Sequence, residues 1–213
     1  MTVALPAVHA LIPVRLASKR FPNKPLFPVG NQPLLECLVE SVVSSKLFSS
    51  VTVVSEDRSV LNLAGSLGVG VCDVAGPFRN GTSRVCAAVQ ALGLGTDLVV
   101  NIQGDMPGID PLAMASLIES LRGGQSDAVT LARSCYSVDE RLDVNRVKVV
   151  VDHFGNALYF SRAGIPFGAA FSETLIHIGV YGFVPRALSR YVACGSSPLS
   201  NFEDLEQLDW LGA

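Results

Sequence analysis

A chain of 213 residues with 49% hydrophobic content can fill one core, so the sequence predicts a single domain carrying a lobe rather than two separate domains. A net charge of −3 and a pI near 5.6 exclude the broad basic field that nucleic acid needs, which leaves a local cationic cluster and a small charged ligand. No apolar stretch approaches the ~20 residues that span a bilayer, and the N-terminus lacks a leader pattern, so a cytoplasmic protein with no membrane partner is expected.

In chain order, short β-branched runs alternate with amphipathic segments, the pattern of a largely parallel sheet with crossover helices. Strands are predicted at 7–14, 50–55, 68–74 and 97–103, with helices near 33–45, 57–66 and 83–92. Asp110 can cap a further helix that has Pro111 in its first turn and runs to about Arg122. Beyond it, "DAVTLAR" and "NRVKVVVD" read as strands, "DHFGNA" as a hairpin turn and "ALYF" as the returning strand, an antiparallel extension of the sheet. "HIGVYGFV" at 177–184 is another strand, Pro185 to about Ala193 a helix, and Asn201 the N-cap of a last helix. The five cysteines are widely spaced with no C-x-x-C pair, which predicts reduced core residues.

Ligands of open α/β sheets bind beyond the carboxyl ends of the strands. The loop after the first strand supplies Arg15, Lys19, Arg20 and Lys24, with Ser18 as a further donor and Pro22 and Pro25 stiffening its path. Guanidinium and ammonium groups at this spacing can surround a triphosphate, and the same spacing also fits a solvated surface loop. In "NIQGDMPG" a buried strand delivers Asp105 into a Gly/Pro turn, where it is either a hard oxygen ligand for Mg²⁺ or an ordinary turn residue. Its place beside the basic loop favours the metal.

Several ordered segments together resemble the cytidylyltransferases of the CMP-Kdo synthetase type, where Kdo is 3-deoxy-manno-octulosonate. They are the run Arg15, Ala17, Ser18, Arg20, Pro22 and Lys24, then "NGTSR" (80–84), "NIQGD" (101–105), "NRVKVV" (145–150), "ALYFSRAGIP" (157–166), "HIGVYG" (177–182), and "SPL" followed by "LEQL" (197–208). The resemblance covers almost the whole chain. It implies a nucleotide-diphospho-sugar transferase-like (Rossmann-like) α/β fold, with a CTP-binding part at about 1–125 and an acceptor-binding, dimer-forming part at about 126–213. Arg15 and Lys24 would hold the triphosphate with help from Ser18, Lys19 and Arg20, and Asp105 would bind Mg²⁺. Asn80, Gly81, Thr82, Arg84 and Gln103 would lie by the nucleotide, while Gln103, Arg162, His177, Tyr181, Glu203 and Gln207 would meet the acceptor. From the residues alone, His177 and Tyr181 also fit a satisfied strand histidine and a core aromatic.

The departures from the family pattern bear on the acceptor. Met106 stands where the family usually has Glu after "QGD", Ser83 stands where a second Glu is common, and Ser200 replaces the glutamate after "SPL". The stretch 167–176 is shorter than the charged segment usual there, and the chain stops at Ala213, before a "DTPED"-like segment that carries a second metal ligand. A truncated chain, or a metal held differently, is the expectation from that last point. These losses imply an acceptor smaller than Kdo, with phosphonoformate as the candidate. An ordinary CMP-Kdo synthetase and an inactive CTP-binding protein are the alternatives, and a homodimer is expected through the antiparallel segment.

Overall fold

A computed structural model describes residues 5–17 and 21–211, so Ser18, Lys19 and Arg20 lie outside the described residues. The chain forms two compact units, 1–129 with 180–188, and 130–179 with 189–213. Each has its own reason to fold.

The first unit is built on parallel strands. Strand β1 (Val8–Pro13) lies between β4 (Ser50–Ser55) and β6 (Leu98–Ile102), and β5 (Gly70–Asp73) pairs with β4. β6 is buried at every position, which explains its mostly apolar reading in the sequence, broken only by Asn101. Helices α1 (Leu34–Ser44), α2 (Arg58–Ser66), α3 (Gly81–Ala91) and α4 (Pro111–Arg122) belong to this unit, and each buries one apolar stripe, such as Leu35, Leu38, Val39 and Val42 of α1. A two-strand hairpin, β2 (Pro28–Val29) with β3 (Gln32–Pro33), precedes α1.

Strand β10 (Leu175–Phe183) pairs antiparallel with β6 through Val180–Phe183. A Cβ on Gly182 would fall 2.7 Å from Leu117 Cδ2, so only glycine lets α4 approach the strand this closely.

The second unit holds β7 (Ala128–Ser134) from Thr130 onward, β8 (Lys148–Val151), β9 (Ala157–Ser161) and the first half of β10. β8 pairs antiparallel with β9 and with β10. Its core packs Val149 and Phe160 against Leu205 and Leu208. The turn at 152–156 closes on Asp152, whose carboxylate accepts from the Phe154 and Asn156 amides at 2.9 and 2.8 Å.

The mixed, largely parallel sheet flanked by helices, with an antiparallel part, is the fold class the sequence predicts. Several details differ. Helix α6 (Pro185–Cys194) is close to its predicted span, but the last helix does not open at Asn201. Ser197 caps α7 (Pro198–Glu203) by accepting from the Ser200 amide at 3.0 Å, Asn201 falls inside that helix, and α8 (Gln207–Leu211) follows. Cys72, Cys86 and Cys135 are buried, whereas Cys37 is half-buried and Cys194 exposed, so the cysteines are not uniformly core residues. No described helix is long and apolar enough to cross a membrane.

Candidate functional site

Parallel pairing sets Leu11 opposite Asn101, so the segments leaving β1 and β6 emerge side by side at the carboxyl edge of the sheet. A Cβ on Gly104 would lie 3.1 Å from Val14 Cγ2 and 3.2 Å from the Pro13 carbonyl, which makes glycine the residue that permits this approach. Over these ends opens a cleft of about 260 Å³ lined by Pro13, Val14, Arg15, Lys24, Pro25, Phe78, Asn80, Gly81, Arg84, Gln103, Gly104 and Asp105. A volume of that order suits part of a small ligand.

The basic loop is tied at both ends. The Leu16 amide donates to Asp57 Oδ2 at 2.8 Å, and the Asn23 amide donates to the Leu16 carbonyl at 3.0 Å. Asn23 takes the left-handed conformation (φ 58°) and turns the chain into a short 3₁₀ segment, Lys24–Leu26. Lys24 Nζ then reaches Asp105 Oδ2 at 2.7 Å, while Arg15 stays exposed at the mouth of the cleft.

The start of α3 forms the other part of the lining. Asn80 Oδ1 accepts from the Ser83 amide at 3.0 Å and Ser83 Oγ accepts from the Asn80 amide at 3.1 Å, a reciprocal cap. Ser83, which departs from the family pattern, therefore completes the cap. A Cβ on Gly81 would stand 3.2 Å from Gln103 Oε1 and 3.3 Å from Pro13 Cγ, so glycine admits the Gln103 amide against the helix start.

Thr82, expected near a nucleotide, is fully buried, accepts from Asn101 Nδ2 at 3.1 Å, and is not one of the residues lining the cleft. Arg84 lines the cleft but is only 5% exposed. Its guanidinium donates to Glu56 Oε1 and the Val74 carbonyl, both at 2.9 Å. The Arg84 hydrogen bond and charge hold the Glu56 carboxyl below its ordinary range.

The residues expected on the acceptor side divide between the units. Gln103 and the buried Tyr181 belong to the first, and Arg162, His177, Glu203 and Gln207 to the second. In the second unit Glu203 accepts from Ser161 Oγ at 2.5 Å and from the Arg162 amide at 2.8 Å. Burial pushes its carboxyl up, but these hydrogen bonds, that of Tyr159 and the Arg162 charge outweigh it and hold the group below its usual range. The Arg162 guanidinium in turn donates to the carbonyls of Glu203, Val144 and Asp204 at 2.7 to 3.1 Å. His177 Nε2 lies 2.9 Å from Thr130 Oγ1, its Nδ1 lies 3.5 Å from Gln207 Nε2, and burial lowers its pKa to about 4.

The donor set suits a hard cation shared with a ligand. Asp105 is a half-exposed carboxylate already facing a cation, the Lys24 ammonium, and no three His, Cys, Asp or Glu side chains converge on a metal position among the described residues. Mg²⁺ is commonly held by one or two carboxylates with phosphate oxygens completing its shell, which is what a single Asp in a cationic cleft can offer.

Sequence reasoning missed Phe78, Glu56 and Lys148. Glu56 carries the same signal as Asp105, a carboxylate delivered by a buried strand, and could have been read from it. Phe78 carries none. Lys148 sits in the quoted "NRVKVV" but its role is set by three backbone carbonyls, one of them 14 positions away: wholly buried, it donates to Asp143, Arg146 and Arg162 at 2.9, 2.6 and 2.6 Å.

Residues 9–212 match the family model described as cytidylyltransferase. An 8-amino-3,8-dideoxy-manno-octulosonate cytidylyltransferase of Shewanella amazonensis is 37% identical over 211 residues, covering 97% of this chain and 85% of that protein. A 3-deoxy-manno-octulosonate cytidylyltransferase of Zea mays is 35% identical over 203 residues, covering 93% and 68% respectively. Among solved structures, a CMP:2-keto-3-deoxy-manno-octonic acid synthetase complexed with CTP matches with a TM-score of 0.88 at 28% identity, over 97% of this chain and 86% of that one. The 4-diphosphocytidyl-2C-methyl-D-erythritol synthase of Anaerococcus prevotii, with a TM-score of 0.60 at 15% identity over 95% and 86%, shares the fold alone.

Proposed function

The chain belongs to the cytidylyltransferase family, and from that premise we propose that it transfers CMP from CTP to a compact acidic acceptor, such as phosphonoformate, with release of pyrophosphate. The observation that carries the nucleotide half is the Lys24–Asp105 pair in a cleft that also holds Arg15, at the carboxyl edge of a parallel sheet.

In this reading Arg15 and Lys24 bind the triphosphate, with Ser18, Lys19 and Arg20 on the same loop. Asp105 would hold Mg²⁺, which neutralises phosphate charge when bound. The Asn80 and Gly81 segment and Gln103 lie by the nucleotide. An acceptor oxygen forms a bond to the α-phosphorus as the bond to the pyrophosphate oxygen breaks, and pyrophosphate leaves with the electron pair. Lys24 and Arg15 stabilise the charge that grows on that leaving group. A phosphonate or carboxylate oxygen arrives already ionised, so the step needs no base.

The compact acceptor rests on Met106, Ser83 and Ser200 standing where the family pattern carries carboxylates, and on the short stretch 167–176. The acceptor contacts of Gln103, Arg162, His177, Tyr181, Glu203 and Gln207 are part of the proposal, as are a homodimer and a cytoplasmic setting. A second reading, an octulosonate acceptor, is favoured by the names of relatives that match over 97% of the chain.

Pyrophosphate release from CTP and Mg²⁺, with phosphonoformate and 3-deoxy-manno-octulosonate supplied separately, tests both. Release with phosphonoformate alone is expected. Release with the octulosonate alone would replace the compact acceptor with the sugar acid, and release with neither would remove both.

A further inference from the structure

The contacts that build the cleft sort its lining into two chemically unlike groups. One gathers charge: Arg15 at the mouth, and Lys24 paired with Asp105. The other gathers a ring and amides: Phe78, Asn80, and Gly81 fitted against the Gln103 amide, with Arg84 beside the ring but its guanidinium engaged by Glu56 and the Val74 carbonyl. A triphosphate belongs with the first group. A nucleobase is flat, aromatic and edged with amide-like groups, and it belongs with the second.

Phe78 is half-buried, and its ring is held by Arg84, which lines the same cleft. The Arg84 guanidinium lies 4.8 Å from the ring centroid, within cation–π range. Arg84 cannot swing away freely, because Glu56 and the Val74 carbonyl hold two of its nitrogens at 2.9 Å. The Phe78 amide donates to the Gly76 carbonyl at 2.8 Å, which fixes the backbone beneath the ring.

We propose that Phe78 is the wall of the cleft against which the pyrimidine of the bound nucleotide stacks, and that Arg84 acts through it as a positioning residue rather than as a phosphate ligand. The proposal deepens the nucleotide reading above and rests on it. An aromatic face accepts any base by stacking, so Phe78 supplies affinity, while the neighbouring Asn80 and Gln103 amides are the groups able to read the base edge.

Calorimetric titration of CTP, CMP and inorganic pyrophosphate, each with Mg²⁺, tests the assignment on the wild-type chain and on Phe78→Ala, Phe78→Leu and Phe78→Trp. Phe78→Ala and Phe78→Leu are expected to weaken CTP and CMP about tenfold, as loss of one stacking face does, and to leave pyrophosphate within about twofold. Phe78→Trp should keep CTP within about threefold of wild type. In turnover, Phe78→Ala should raise KM for CTP while kcat changes little.

Unchanged CTP binding in Phe78→Ala and Phe78→Leu would overturn the stacking role. Equal loss of CTP and pyrophosphate would also overturn it, by showing that the ring only props the cleft. If Phe78→Ala fails to fold, the leucine and tryptophan variants carry the same comparison. A wild-type chain that binds neither CTP nor CMP would overturn the nucleotide reading itself, an outcome distinct from wild-type binding that the variants leave untouched.

Discussion

In the first unit Lys24 and Asp105 meet in one ion pair whose side chains keep 37% and 52% of their exposure, whereas in the second Lys148 is wholly buried, its ammonium shared among three backbone carbonyls. Water competes for the first pair, which therefore adds under about 1 kcal/mol to stability and can be re-partnered by an arriving ligand. The second ammonium has no such freedom. Burial lowers its pKa despite the opposing pull of Asp143, and it persists because every proton finds an acceptor. Under the proposed function the same residue type serves ligand binding in one unit and architecture in the other, and the difference lies in what else is within reach.

The largest effect that would sharpen this contrast is on catalysis. Asp105→Asn keeps the shape and removes the charge, so Mg²⁺-dependent pyrophosphate release should fall a hundredfold or more, about 3 kcal/mol in the barrier. The melting temperature should move by less than about 4 °C, because an exposed pair is all that is lost from the fold. Near-normal turnover would show that the metal and triphosphate are placed wrongly.

Lys148→Met probes the opposite case. It removes the shared donor and leaves the Asp143, Arg146 and Arg162 carbonyls to find other partners in a buried setting, so urea unfolding should report a loss of about 3 kcal/mol. Pyrophosphate affinity of the folded variant should stay within about twofold. A midpoint equal to that of the wild-type chain would mean that the buried ammonium is dispensable, and the contrast between the units would fail.

The two units also differ in how far they can be read in advance. β1, β4 and β6 are legible because largely buried strands favour short runs rich in apolar and β-branched residues, and the Asp110 cap is legible because its chemistry is local. Arg15 and Asp105 line one cleft for the same reason, since they follow β1 and β6, which lie side by side, and Lys24 joins them through the turn at Asn23. The five-residue helix α5 (Val138–Leu142), capped by Ser137, is too short to show a period. In the second unit, contacts such as Glu203 with Ser161 and Lys148 with Arg162 link residues 42 and 14 positions apart, and no spacing rule anticipates them. The shift of the cap from Asn201 to Ser197 has a smaller cause. Both residues can cap, and Pro198 is pre-shaped for the first helical turn that follows Ser197.

The smallest expected effect separates the units by pH. His177 has Thr130 beside Nε2, Gln207 beside Nδ1 and the Phe160 ring edge-on at 5.0 Å, so its neutral form is the one the fold accommodates. Burial takes its pKa from 6.5 to about 4. Between those values the unfolded chain binds the proton and the folded chain does not, so this contribution is complete above pH 6.5 and is lost as pH falls toward 4. The loss should be about 1–2 kcal/mol, less than the full shift implies, because the residue as a whole is only part-buried. The carboxylates held low, such as Glu140 at about 2 beside Arg133, lose their contribution only as pH falls below about 4.5, so the two windows scarcely overlap. Urea unfolding of the wild-type chain and His177→Gln between pH 7.5 and 5 should therefore show a slope in the first that is reduced in the second. Equal slopes would place the histidine in a setting as hospitable to charge as the exposed cleft of the first unit.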